Sequence, residues 1–173
     1  MRILQFNYLH HALGSAISQL RDDKSKNFSK KLGIGESMYR MIESGNASFP
    51  MASIYPLIQI FPEIQFEKFA KLLVAAKSMN NCSEDECIKI SSFLSEIDPD
   101  FSLIFDYWKN SGKDSKLKDV EIRRELGRKT LLYITKPFES KLIQLEDFVN
   151  KNPQIIDLLK KLHEGLIVLK TIE

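Results

Sequence analysis

The side chains that could do chemistry in this 173-residue chain are three histidines, two cysteines, a few aspartates and a glycine pair. His10, His11 and His163 have no metal-ligand spacing and read as surface or capping residues. Cys82 and Cys87 lie five apart, which fits neither a C-x-x-C redox pair nor a four-ligand zinc site. They read as two reduced, partly buried thiols. Asp98, Asp100 and Asp106 lack the spacing of a calcium loop. Glu84-Asp85-Glu86 reads as the acidic first turn of a helix, favoured by the helix dipole. Gly33-Ile34-Gly35 invites a phosphate-loop reading, but the third glycine of that motif is missing and no strand precedes it. No Ser/His/Asp or Cys/His arrangement can be assembled. The expectation is a protein that is not an enzyme, with no metal and no cofactor.

Charge is the remaining resource. The net charge is +2, but it is unevenly divided. Through Lys77 the chain carries ten Lys/Arg against six Asp/Glu; from Ser78 onward, fifteen against seventeen. A basic first half joined to a mildly acidic second half is the polarity expected if only the first half meets a polyanion.

These residues need a frame, and the composition supplies one. Hydrophobic residues make up 43% and charged residues 28%, enough apolar surface to offset the chain entropy of folding. No apolar run approaches the roughly 18 residues that would span a bilayer. Met1-Arg2-Ile3-Leu4-Gln5-Phe6-Asn7 lacks a signal peptide's apolar stretch, so the expected location is the cytoplasm, away from membranes.

The pattern is all-α. Leu13, Ile17 and Leu20 recur at helical spacing, fading at Asp22-Asp23. Phe28 and Leu32 mark a short second helix, stopped by Gly33. Tyr39 and Ile42 mark a third, ending at Ser44-Gly45-Asn46. Ile54, Leu57, Ile58 and Phe61 repeat in a fourth, with Pro56 in its first turn. Phe66, Phe69, Leu72, Leu73 and Ala76 form the fifth. Asn80-Asn81 divides a domain over 1–77 from a mainly helical region over 78–173. In that region Ser83-x-x-Glu86 is a capping box, and Phe101, Ile104, Phe105 and Trp108 form a buried stripe. Asn110 to Ser115 reads as loop, and from Val120 to Ile134 the pattern is undecided, with Leu131 to Thr135 fitting strand or helix. Leu142, Leu145 and Val149 share a face, and Ile155, Leu159, Leu162, Leu166 and Leu169 make a seam of about two heptads. That seam serves equally as internal core or as a surface for dimerisation or effector contact.

One stretch is specific enough to compare with a family. It holds Leu13-Gly14-Ser15-Ala16-Ile17-Ser18-Gln19-Leu20-Arg21, then Leu32-Gly33-Ile34, then Ile42-Glu43-Ser44-Gly45, and Pro50. In this, residues 13 to 61 resemble the lambda-repressor-like (Cro-type, XRE) helix-turn-helix DNA-binding family. The resemblance covers about 50 residues and implies a five-helix domain that binds double-stranded DNA, with the third helix in the major groove.

It also implies roles. Tyr39 and Ile42 would hold the third helix from behind, while Glu36, Ser37, Arg40 and Met41 point at base edges. Asn46 and Ser48 follow the third helix, where relatives contact phosphates; Lys24, Lys26, Lys30 and Lys31, read from the residues alone, serve equally as a solvated helix face or as phosphate contacts. Arg21 and Glu43 match an ion pair that ties the first helix to the end of the third. Members of such families commonly bind two half-sites, so a homodimer is expected. The loop Asn46-Ala47-Ser48-Phe49 carries no Lys or Arg, and Glu36, Met38 and Met41 give an apolar-acidic outer face. These features motivate the alternative of a protein-interaction module, antitoxin-like or an adaptor, on a helix-turn-helix scaffold.

Overall fold

The computed structural model describes residues 7–111, 119–136, 150–154, 157, 158, 160, 161 and 164. Their regular secondary structure is helical, and up to residue 136 it comprises eight α-helices and two short 3-10 turns. They are α1 (Tyr8–Leu20), α2 (Ser25–Lys31), α3 (Glu36–Glu43), α4 (Ile54–Ile60), α5 (Phe66–Ser78), α6 (Glu84–Ile97), α7 (Ser102–Ser111) and α8 (Val120–Thr135). No helix among the described residues is long and apolar enough to cross a membrane.

Asn7 starts α1, its side-chain oxygen accepting from the Leu9 amide. Tyr8, Leu9, Ala12, Leu13, Ala16 and Ile17 are all buried, which is more than one face of a helix. This helix is therefore wrapped, and the small residues show how. A Cβ on Gly14 would lie 2.1 Å from the Ile42 carbonyl oxygen, so α3 crosses α1 at backbone contact. A Cβ on Gly127 of α8 would lie 2.3 Å from the Ser15 hydroxyl. Two glycines on two helices thus admit α3 and α8 against α1.

The later helices join the same core. Tyr8 stacks on Trp108 of α7 with ring centroids 4.1 Å apart, and its hydroxyl is 2.6 Å from Ser91 Oγ on α6. The Gln19 amide donates to the Arg124 carbonyl at 2.8 Å. The described residues up to Lys136 consequently form one compact unit, within which the 77/78 division falls in the last turn of α5.

The capping box at the start of α6 is present, with Ser83 N donating to Glu86 Oε2 and Glu86 N to Ser83 Oγ. The segment from Leu131 to Thr135 is helical. Asp119 caps α8, and Leu126, Thr130, Tyr133 and Ile134 bury a stripe at helical spacing.

A second unit spans 137–173. Its described positions 150, 151, 153, 154, 157, 158, 160, 161 and 164 are helical. Leu142, Leu145, Val149, His163 and the Ile155–Leu169 seam residues lie outside the described residues, as does most of the expected loop at 110–115.

Candidate nucleic-acid interface

Two short helices and a four-residue turn make the candidate site. Helix α2 stops at Lys31, and Leu32 to Gly35 lead into α3. The turn needs Gly33, whose φ of +74° is a left-handed conformation that other residues enter only with strain. Gly35 sits at the N-cap of α3 with no side-chain cap. Phe28 and Leu32 pack inside, and the Phe28 ring meets Tyr39 edge-on at 5.4 Å. This contact fixes the angle between the two helices.

Helix α3 is divided cleanly. Tyr39 and Ile42 are buried, while Ser37, Met38, Arg40 and Met41 are exposed and Glu36 is half-buried. Its second anchor is electrostatic: Arg21 Nε lies 3.0 Å from Glu43 Oε1, joining the end of α1 to the last turn of α3. Burial, followed by the Glu43 carboxylate beside it, pushes the Tyr39 phenol well above its ordinary range. The phenol stays neutral and cannot add a charge behind the helix.

Of the four residues expected to face bases, Ser37, Arg40 and Met41 stand in solvent, but Arg40 is engaged. Its Nη2 donates to Glu36 Oε1 at 2.7 Å. Lys24, Lys26 and Lys30 are exposed on or just before α2, with Lys24 at its N-cap rather than inside it. Lys31 leans towards Asp23 at 3.6 Å. Asn46 is exposed and its amide donates to Ser44 Oγ at 2.8 Å. Ser48 is different: its hydroxyl is covered by the protein and makes no hydrogen bond, so it does not face outward as a phosphate contact must.

Beneath the end of α3 the structure adds residues that sequence spacing had not joined to it. The His11 ring lies against Gly45, whose φ is +75° and whose added Cβ would sit 2.4 Å from His11 Nδ1. Burial first, then the charge of Arg123, then His10, push the His11 imidazole down to about 4, so it is neutral near pH 7. Arg123 and Arg124 of α8 stand in the same region, beside Glu43. They are some eighty residues downstream, where the sequence pattern left strand and helix undecided.

Among the described residues no three His, Cys, Asp or Glu side chains group as a metal site requires. No family model, no curated protein and no solved structure matches this chain.

Proposed function

We propose that the protein is a sequence-specific DNA-binding transcriptional regulator that reads the major groove of double-stranded DNA with α3. The observation that carries this reading is the division of α3: Tyr39 and Ile42 are locked into the core while Ser37, Arg40 and Met41 stand free of it. An α-helix with its side chains is about 10–12 Å across, a width that a major groove about 12 Å wide admits. Arg40 is the donor suited to guanine O6 and N7, Ser37 is a donor or acceptor, and Met41 suits a thymine methyl. The lysines of the α2 region supply phosphate neutralisation. One such helix buries too little for a specific site, so the protein acts as a homodimer on paired half-sites.

The test is in-vitro site selection with the full chain, then titration of the selected duplex at fixed salt. Arg40→Ala should cost roughly 1–3 kcal/mol and relax preference at one base position, and Lys30→Ala should weaken all sequences alike. Failure to enrich any site removes α3 from this role.

A second reading has its own observation. Met38 and Met41 are 43% and 47% exposed on the outer face, and Glu36 already answers Arg40. An apolar, charge-balanced helix face suits a protein partner, and points to an adaptor or antitoxin-like interaction module. Co-purification of one stoichiometric partner lost in Met41→Lys, with no duplex binding at low salt, decides for it.

A further inference from the structure

Beside the last turn of α3 lies a cleft of about 260 Å³ whose walls come from three helices. Helix α1 contributes Ser15, Ser18 and Gln19, α3 contributes Glu43, and α8 contributes Arg123 and Arg124. The charges do not cancel. Glu43 is committed to Arg21 at 3.0 Å, while neither Arg123 nor Arg124 has an ion-pair partner among the described residues. Further along α8, Glu125 is taken by Arg128 and Lys129 at 2.9 and 3.6 Å. Arg123 is half-buried, and a guanidinium withdrawn from water without a carboxylate is costly unless an anion meets it. Its field is felt in the cleft, since it is the second cause of the depressed His11 basicity.

The neutral groups are donors too. Gln19 Nε2 donates to Ser15 Oγ at 3.2 Å, leaving the Ser15 proton free for another acceptor. Ser18 lines the same wall with its hydroxyl. Two guanidiniums and two hydroxyls exceed what the two oxygens of one carboxylate accept, whereas a phosphate monoester offers three terminal oxygens and close to two negative charges. The volume lies just below the range of about 300–1,000 Å³ typical of larger organic ligands, which sets the size of the molecule.

We propose that this cleft binds a small phosphate monoester, gripped by Arg123 and Arg124 with Ser15 and Ser18 donating. The bound phosphate ties α8 to α1 beside the last turn of α3. The assignment rests on the cleft alone and holds whichever partner α3 engages.

The test uses the full chain with glycerol 3-phosphate and with inorganic phosphate, at ionic strength held constant with sodium chloride. Both should raise the melting temperature, the rise continuing with the logarithm of ligand concentration beyond saturation, and both should titrate calorimetrically. Arg124→Gln, an exposed substitution that keeps the fold, should weaken both at least tenfold, and Arg123→Gln further. Ser18→Asp, which places a carboxylate in the wall, should abolish both while the circular dichroism is unchanged. The assignment fails if wild type and Arg124→Gln respond equally, or if neither phosphate binds. It fails equally if Arg124→Gln weakens only a DNA duplex, because the arginines then serve a nucleic-acid backbone.

Discussion

Arg40 Nη2 donates to Glu36 Oε1 at 2.7 Å across one turn of α3. The pair sits on the outer face, where Arg40 is 68% exposed and Glu36 35%, and such a pair is worth about 0.3–0.5 kcal/mol. A bidentate guanine contact is worth about 1–3 kcal/mol, so Arg40 can leave Glu36 for a base at a net gain. The carboxylate left behind would then lie near DNA phosphates and repel them.

Glu36→Gln should therefore raise affinity for the selected site several-fold, and Arg40→Ala should lower it. In the double variant the effect of Glu36→Gln should shrink to the loss of phosphate repulsion alone, which is salt-dependent. Four titrations at two salt concentrations measure the cycle. An unchanged affinity in Glu36→Gln at both concentrations would show that Arg40 makes no contact with the bound duplex.

The glycines around α1 give a stability prediction with an internal control. Gly14→Ala drives a methyl to 2.1 Å from the Ile42 carbonyl and 2.9 Å from that of Glu43, both backbone atoms. The helices must separate, and a cost of roughly 1–3 kcal/mol or more follows. Gly45→Ala should cost comparably, because it adds backbone strain at φ +75° to a clash with His11. Gly35 has open space around it and φ −71°, so Gly35→Ala should be nearly neutral, and Gly35→Ser should gain a few tenths of a kcal/mol as an N-cap. Denaturant melts of the four proteins check the order.

Sequence periodicity went furthest where contacts are local. The stripe of α1, the Ser83–Glu86 box and the left-handed glycines at 33 and 45 each depend on residues within one or two turns. The two-faced character of α3 followed from Tyr39 and Ile42 alone. What stayed hidden depends on distant partners. The contact of Gly127 with Ser15 joins positions more than a hundred residues apart, and the aliphatic run Leu131–Leu132 carries no period to reveal it. The direction of the Ser48 hydroxyl is set by packing rather than by residue type. Lys68 is no part of the apolar repeat that marks the fifth helix, and it is 1% exposed in the fold.

His11 predicts an acid-side loss of stability beginning near neutrality. Its folded-state pKa lies at about 4 against 6.5 for the free side chain. Above pH 6.5 both states are neutral and the full stability is present. As the pH falls from there, the unfolded chain takes up the proton first, so stability drops progressively and levels off near the folded value. The total is up to about 3 kcal/mol, and His10, lowered chiefly by burial, acts in the same direction. Melting temperatures of the wild type between pH 6.5 and about 5, above most carboxylate titrations, should slope more steeply than those of His11→Gln. Parallel slopes would mean that the imidazole is already charged in the fold.

The buried ammonium of Lys68 anchors a second acid-sensitive cluster. Its Nζ lies 3.3 Å from Asp100 Oδ2, donates to the Lys136 carbonyl at 3.2 Å and stands 5.0 Å over the Tyr133 ring. Asp100 also takes Lys136 Nζ at 2.9 Å, while Asp98 takes Lys71 Nζ and the Tyr133 hydroxyl. The Lys136 contact, with Lys68 adding to it against an opposing burial cost, holds the Asp100 carboxyl below its ordinary range. Burial works against Asp98, but Tyr133 and Lys71 outweigh it and that carboxyl is lowered too. Stability from both is complete above the ordinary aspartate range and is lost as pH falls below it. Asp100→Asn should cost more than Lys68→Met. The first leaves a buried ammonium facing a neutral amide, a loss of about 3–5 kcal/mol for a fully buried pair and less here because Asp100 is partly exposed. The second leaves Asp100 still paired with Lys136. Urea melts at pH 7 should give that order, and the cost of Asp100→Asn relative to wild type should shrink as the pH falls below the ordinary aspartate range, because protonation of Asp100 does to the wild type what the asparagine does to the variant.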